Sequence, residues 1–125
     1  MSAWKRLALE QFPEISAEIE PATTIDLSVL LSTKLVEALQ TNEASMSMRV
    51  AQYAAWAWSQ SATVPQMSYF AQDILAEAIK REPLRAQLWP AVSAPIFRAL
   101  LPAFSGILQR DASNELEREF RQANR

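Results

Sequence analysis

Residues 26–41 read DLSVLLSTKLVEALQT, and the spacing of their apolar side chains indicates the fold class. Apolar residues recur at intervals of three and four, which places them on one face of an α-helix. They are Leu27, Leu30, Leu31, Leu35, Ala38 and Leu39. Asp26 stands just before them, where a short polar side chain caps a helix. The stretch predicts an amphipathic helix that begins at Asp26 and ends at about Thr41.

The next stretch predicts a helix with a broader apolar surface, capped by Asn42 and ending at about Ser61. Its apolar face carries Met46, Val50, Tyr53, Ala54 and Ala57. At about 100° per residue, Trp58 and Trp56 fall on opposite margins of that face and widen the apolar arc to about 200°. A helix with so broad an arc packs on two sides, so we expect it at the centre of the fold.

Prolines divide the rest of the chain into further helices. The 125 residues include seven prolines and one glycine, and no Asn-Gly, Asp-Gly or Gly-Gly pair is present to form a two-residue β-hairpin. Pro13 either kinks a first helix capped by Ser2 or starts a second one, and Pro65 and Pro95 stand at first-turn positions. Pro102 is expected to kink the helix that contains it.

These features predict an all-α fold: a single-domain irregular helical bundle over residues 1–125, with about five to seven helices and proline-punctuated connections. The length suits one domain, and half of the residues are apolar. An irregular α-solenoid is the alternative, since several short helices have similar lengths. We expect one contiguous core that contains Leu31, Leu35, Val50, Tyr53, Phe70, Ile74, Leu100 and Phe104.

The absence of cysteine and histidine excludes several kinds of site. Disulfides, thiol nucleophiles, zinc fingers, Ser-His-Asp triads and histidine-ligated metal sites all need one of these residues. We therefore expect no enzymatic activity, no cofactor and no metal. An acid/base enzyme that uses carboxylates such as Asp73 and Glu77 is the remaining alternative. Glu77 also precedes Arg81 at the spacing of a surface ion pair.

Net charge, hydropathy and the first residues predict the class of partner and the compartment of the protein. A net charge of −2 lacks the basic surplus typical of nucleic-acid-binding domains. The longest weakly charged stretch, Val50 to Gln72, contains glutamines, hydroxyl residues and a proline, so we expect no membrane span. The first residues, with Lys5, Arg6 and Glu10, do not follow the pattern of a secretory signal, and we expect a cytoplasmic protein.

Acidic residues are concentrated in the first third of the chain, where Met1 to Glu43 holds seven acidic and three basic residues. The candidate partner-binding carboxylates are Glu10, Glu14, Glu18, Glu20 and Asp26. If one helix continues through Pro13, the first three form a stripe whose like charges destabilise that helix. A surface complementary to a basic protein is the functional interpretation, and an ordinary solvated helix face is the alternative.

The central helix carries the run Tyr53-Ala-Ala-Trp56-Ala-Trp58. Tyrosine and tryptophan dominate interface energies, yet most such residues belong to a core. We expect Tyr53 and Trp58 in the core. Trp56, at the margin of the apolar arc, is the candidate for partner binding.

The order of these features resembles that of small all-helical immunity proteins from bacterial polymorphic-toxin systems. Phe12-Pro13-Glu14 after an opening helix, the aromatic run from Tyr53 to Trp58 and the helix that contains Phe70 carry the resemblance, over about the first 80 residues. It implies a non-enzymatic protein that binds and neutralises a cognate toxin, often a nuclease with a basic cleft. The alternative is a structural or regulatory adaptor that assembles with itself or with a host complex.

Overall fold

The computed structural model describes all 125 residues and contains eight α-helices, three 3-10 turns and no β-strand. The helices are α1 (Ala3–Gln11), α2 (Ser16–Ile19), α3 (Thr24–Gln40), α4 (Ala44–Ser59), α5 (Gln66–Lys80), α6 (Glu82–Leu88), α7 (Ala94–Leu108) and α8 (Ser113–Ala123). The 3-10 turns are Pro13–Ile15, Gln60–Ala62 and Trp89–Ala91. The prediction of an all-α fold is confirmed.

The expected count of five to seven helices is too low, because prolines start new helices here. Pro13 begins a 3-10 turn after α1 has ended at Gln11, and α2 follows as a separate helix. Pro83 lies in the first turn of α6, and the extended backbone of Arg81 separates α6 from α5. A proline fits a first turn without losing a hydrogen bond, since the first amides of a helix have no intrahelical acceptor.

The cap of α3 differs from the prediction. Thr23 occupies the N-cap, and its hydroxyl accepts a hydrogen bond from the Asp26 amide at 3.2 Å. The Asp26 carboxylate in turn accepts from the Thr23 amide at 3.1 Å, which completes a capping box. Asp26 is therefore the third residue of the helix, and α3 begins at Thr24, so that Ile25 is helical as well.

Helices α4 and α5 form the middle of the bundle. Helix α4 contacts α1, α3, α5 and α7, and α5 contacts α3, α4, α6 and α7. Thirty-five buried apolar residues form one contiguous cluster that includes all eight predicted core residues. The central position predicted for α4 from its broad apolar arc is confirmed. No helix is both long and apolar enough to span a membrane.

Helix α7 passes close to α5 at its single glycine. The Gln72 amide nitrogen donates to the Ala103 carbonyl at 3.3 Å, and a Cβ atom at Gly106 would overlap that nitrogen. The overlapping atom is the end of a flexible side chain, so Gln72 has room to turn away. Glycine at this point accommodates the Gln72 side chain rather than the backbone of α5.

We expect Gly106→Ala to change the free energy of unfolding by less than about 1 kcal/mol, because better helix propensity offsets the lost hydrogen bond. In a Gln72→Ala background the same change should stabilise the protein by about 1 kcal/mol, since no overlap remains. Urea denaturation of the four proteins measures both values. A loss of more than about 2 kcal/mol in either background would show that α7 itself is displaced.

Candidate protein-binding surface

The three glutamates predicted to form one stripe lie on three separate elements. Glu10 is in α1, Glu14 in the 3-10 turn and Glu18 in α2. The helix does not continue through Pro13, because α1 ends two residues earlier. The condition for a stripe on a single helix face, one helix that continues through Pro13, is therefore not met.

Glu14 is held in a structural ion pair. Its two carboxylate oxygens accept from the two terminal nitrogens of Arg49 at 2.8 and 2.9 Å. Arg49 also donates to the Gln11 carbonyl at 2.8 Å and lies over the Phe12 ring. The hydrogen bond from Arg49 holds the pKa of Glu14 below its usual value. Neutralising Glu14 would thus weaken the attachment of the 3-10 turn to α4.

The carboxylates of Glu10, Glu18 and Glu20 are exposed and form no ion pair. Lys5 donates to the main-chain carbonyl of Glu20 at 2.7 Å, so it does not neutralise that side chain. The Asp26 side chain is also exposed, although one of its oxygens belongs to the capping box. Four of the five predicted acidic residues thus face solvent without a cationic partner.

Trp56 is half-buried and packs against the core. Its ring centroid lies 5.7 Å from that of Tyr53, in a tilted arrangement. Trp58 is half-buried as well, whereas Tyr53 is fully buried. Trp56 is therefore only partly accessible to a partner.

An exposed apolar surface lies between the first turns of α3 and α5. Ile25 is 75% exposed, Val29 is 61% exposed and Tyr69 is 70% exposed. These three make up half of the large apolar side chains that the protein exposes. Ile25 and Tyr69 line a pocket, and Val29 lies one helical turn after Ile25 on α3. We call these three residues and the pocket the α3–α5 face. Ile25 and Val29 lie four residues apart and outside the predicted apolar face of α3, a signal that the sequence reasoning missed.

The α3–α5 face contains a pocket of about 130 Å³. Phe70, almost fully buried, contributes to its wall together with Ile25 and Tyr69. The polar lining consists of Thr24, Ser28, Gln66 and Asp73, and includes no lysine or arginine. The pocket is well below the roughly 300–1,000 Å³ of small-molecule sites, so its size suits a single side chain.

A larger cleft of about 600 Å³ lies between α6 and α8, and its charged groups bind one another. Arg85, with a side chain only 5% exposed, donates to both carboxylate oxygens of Glu119 at 3.0 Å and to the Ile79 carbonyl at 2.9 Å. The indole nitrogen of Trp89 also donates to Glu119, at 3.2 Å. Because Glu119 already accepts three hydrogen bonds, this cluster serves to hold α8 on the bundle.

The remaining carboxylates do not assemble a group that could hold a metal ion. No set of three or more aspartates and glutamates converges in the structure. The ion pair expected between Glu77 and Arg81 is absent, and Glu115 pairs with Arg110 at 2.7 Å.

No family model, curated protein or solved structure matches this chain.

Proposed function

We propose that this chain is a non-enzymatic protein-binding domain that neutralises a bacterial toxin by binding it through an acidic surface. The observation that carries the proposal is that the carboxylates of Glu10, Glu18 and Glu20 are exposed and form no ion pair. Opposite charge on a partner speeds association and favours the correct partner more than it raises affinity. The resemblance to immunity proteins supplies the finer part of the proposal, a toxin with a basic surface that is bound in the bacterial cytoplasm.

The basic residues near this surface are already engaged elsewhere. Lys5 and Arg6 donate to main-chain carbonyls, of Glu20 and Met1 respectively. Lys34 is paired with Glu37, and Arg49 with Glu14. Lys5 and Arg6 keep their positive charges in these contacts, but no basic residue forms an ion pair with Glu10, Glu18 or Glu20, so these three carboxylates stay open to a cationic partner. This supports a basic partner, and it gives less support to an adaptor that assembles through Trp56.

The test is to identify the genes on either side of this one and to co-express the protein with any toxin domain that they encode. The protein should restore growth of cells that produce the toxin, and the two should co-purify. A neighbouring gene cluster that encodes a biosynthetic pathway and no toxin would contradict the proposal.

Charge dependence is tested with the variant Glu10→Gln/Glu18→Gln/Glu20→Gln. We expect its association rate with the toxin to fall by about tenfold at low salt, because the loss of steering is greatest where screening is weakest. The slope of rate against salt should also decrease. Glu14 is left unchanged because it supports the fold through Arg49.

A matched control, Glu43→Gln/Glu77→Gln/Glu117→Gln, makes the same change in net charge away from α1 and α2, and of these three only Glu117 forms an ion pair, an exposed one with Arg121. Stopped-flow association at several salt concentrations compares the two variants. An equal fall in the association rate of both variants would mean that the rate depends only on the net charge of the protein. An unchanged rate in the first variant would contradict an acidic binding surface.

A further inference from the structure

We propose that the α3–α5 face is the contact centre for the partner, and that its pocket accepts one apolar side chain from a surface rich in lysine and arginine. The inference rests on the proposed function for the existence of a basic protein partner. It adds the place where that partner binds and the chemistry of the residue that enters.

The composition of the face is that of an interface centre. Single exposed apolar residues are common on protein surfaces, but a contiguous group beside a pocket marks an interaction site. Tyrosine, the residue type at position 69, is enriched among interface hot spots. The Tyr69 hydroxyl forms no hydrogen bond with another group of the protein. Ile25 and Val29 supply aliphatic surface beside it. Burial of this apolar surface against a partner is therefore energetically favourable.

The charges around the face favour a basic partner. Asp73 lines the pocket directly, and Asp26 lies in the first turn of α3 next to Ile25. Neither carboxylate forms an ion pair with a lysine or arginine of this chain. A lysine or arginine beside the entering side chain would pair with Asp73, and the apolar contact would exclude water from that pair.

The same charges disfavour a second copy of this chain as the occupant. A two-fold interface brings the same surface of both copies together. Asp26 and Asp73 of one copy would then face those of the other, and like charges across an interface are destabilising. We therefore assign the face to a different protein.

The experiment uses the full chain and three synthetic helical peptides, followed by NMR of the backbone amides. The first peptide carries leucines on one face and lysines around them. The second has glutamates in place of the lysines, and the third has serines in place of the leucines. Only the first should shift the signals of Ile25, Val29, Tyr69 and Asp73, and rising salt should weaken its binding.

Variants locate the contact. Tyr69→Ser should weaken binding of the first peptide by about tenfold, the effect of losing an interface hot spot. Asp73→Asn should weaken it less and reduce its salt dependence. Met48→Ser is the matched control, because Met48 is an exposed apolar residue on α4 outside the face. Met48→Ser should bind like the unaltered protein.

Several results would overturn the inference. They are shifts confined to other helices, equal binding of the glutamate peptide, and an affinity unaffected by Tyr69→Ser. Shifts of the same residues with rising protein concentration, in the absence of peptide, would assign the face to a second copy instead.

The outcomes separate this inference from the proposed function. Peptide binding at the face without neutralisation of the toxin would overturn the proposed function and leave the face supported. Neutralisation that is unchanged by Ile25→Ser/Tyr69→Ser would overturn the face and leave the proposed function supported.

Discussion

Replacement of Tyr53 by alanine is expected to lower the free energy of unfolding by about 3–5 kcal/mol, the usual cost of deleting a buried aromatic side chain. Tyr53 is fully buried in α4, and its ring lies within 6 Å of the rings of Phe12, Trp56 and Phe70. Its hydroxyl donates to the Trp4 carbonyl at 2.6 Å, which ties α1 to the core. Urea denaturation monitored by circular dichroism measures the loss.

Tyr53→Phe separates the hydrogen bond from the packing. It keeps the ring but leaves the Trp4 carbonyl without its donor, so we expect a loss of about 1–2 kcal/mol. A loss below about 1 kcal/mol for Tyr53→Ala would contradict the central position of this side chain.

The pH dependence of the protein's stability gives a further check on the burial of Tyr53. Burial raises the pKa of Tyr53 well above the ordinary value of 10. The unfolded chain therefore loses this proton at a lower pH than the folded protein does. The stability contribution is complete below pH 10 and declines as the pH rises above it. Tyr53→Phe should lack this decline.

Removal of the Glu119 carboxylate is expected to destabilise the protein by about 3 kcal/mol, because it leaves the buried Arg85 charge with only the exposed Glu82 carboxylate, 3.8 Å away. Glu119→Ala also deprives the Trp89 indole of its acceptor. We expect hydrogen exchange in α8 to rise along with the global loss. Glu117→Ala is the matched control, since its ion pair with Arg121 on the same helix is exposed and should be worth only a few tenths of a kcal/mol.

A double variant tests whether the loss arises from the unpaired charge. Arg85→Met/Glu119→Gln removes both charges and keeps an amide oxygen for Trp89, so it should be more stable than Glu119→Ala. A double variant less stable than Glu119→Ala would show that the ion pair itself, and not the orphaned arginine, accounts for the cost.

Low pH should also remove the stability that the Glu119 carboxylate contributes. Burial alone would raise the pKa of Glu119, but the hydrogen bonds from Arg85 and Trp89 and the neighbouring positive charges outweigh it, so the pKa is lowered. The stability gained is complete above the unfolded pKa, near 4.5, and is lost as the pH falls through the lower folded value. Glu119→Gln should show a smaller loss of stability between neutral and acid pH than the unaltered protein. An equal acid loss in both proteins would contradict the role of this carboxylate.

Local patterns in the sequence accounted for most of the helices. The apolar spacing of α3, the broad apolar arc of α4, the proline just before α5 and the first-turn proline of α7 each depend on residues close in the chain. The same kind of reasoning placed the N-cap of α3 three residues too late. Asp26 and Thr23 are both good caps, and only the reciprocal hydrogen bonds between them show which one begins the helix.

Local sequence patterns did not predict how α8 packs on the rest of the bundle. Leu116 and Phe120 are its only large apolar residues, too few for their spacing to predict how the helix packs. In the structure, Phe120 stacks on Phe97 with ring centroids 4.2 Å apart, and Glu119 binds Arg85 from 34 residues away. These partners are distant in sequence, so no local spacing reveals them.

The sequence by itself determined the all-helical class, the eight predicted core residues and the excess of acidic residues in the first third of the chain. Helix periodicity and composition are properties of neighbouring residues, so they need no knowledge of the fold. Tertiary structure alone decided which carboxylates stay free. Glu14 and Glu18 are equivalent in the sequence, yet Arg49 of α4 neutralises the first and leaves the second exposed. It likewise decided that Ile25 and Tyr69 line one pocket, because only the packing of α3 against α5 brings their first turns together.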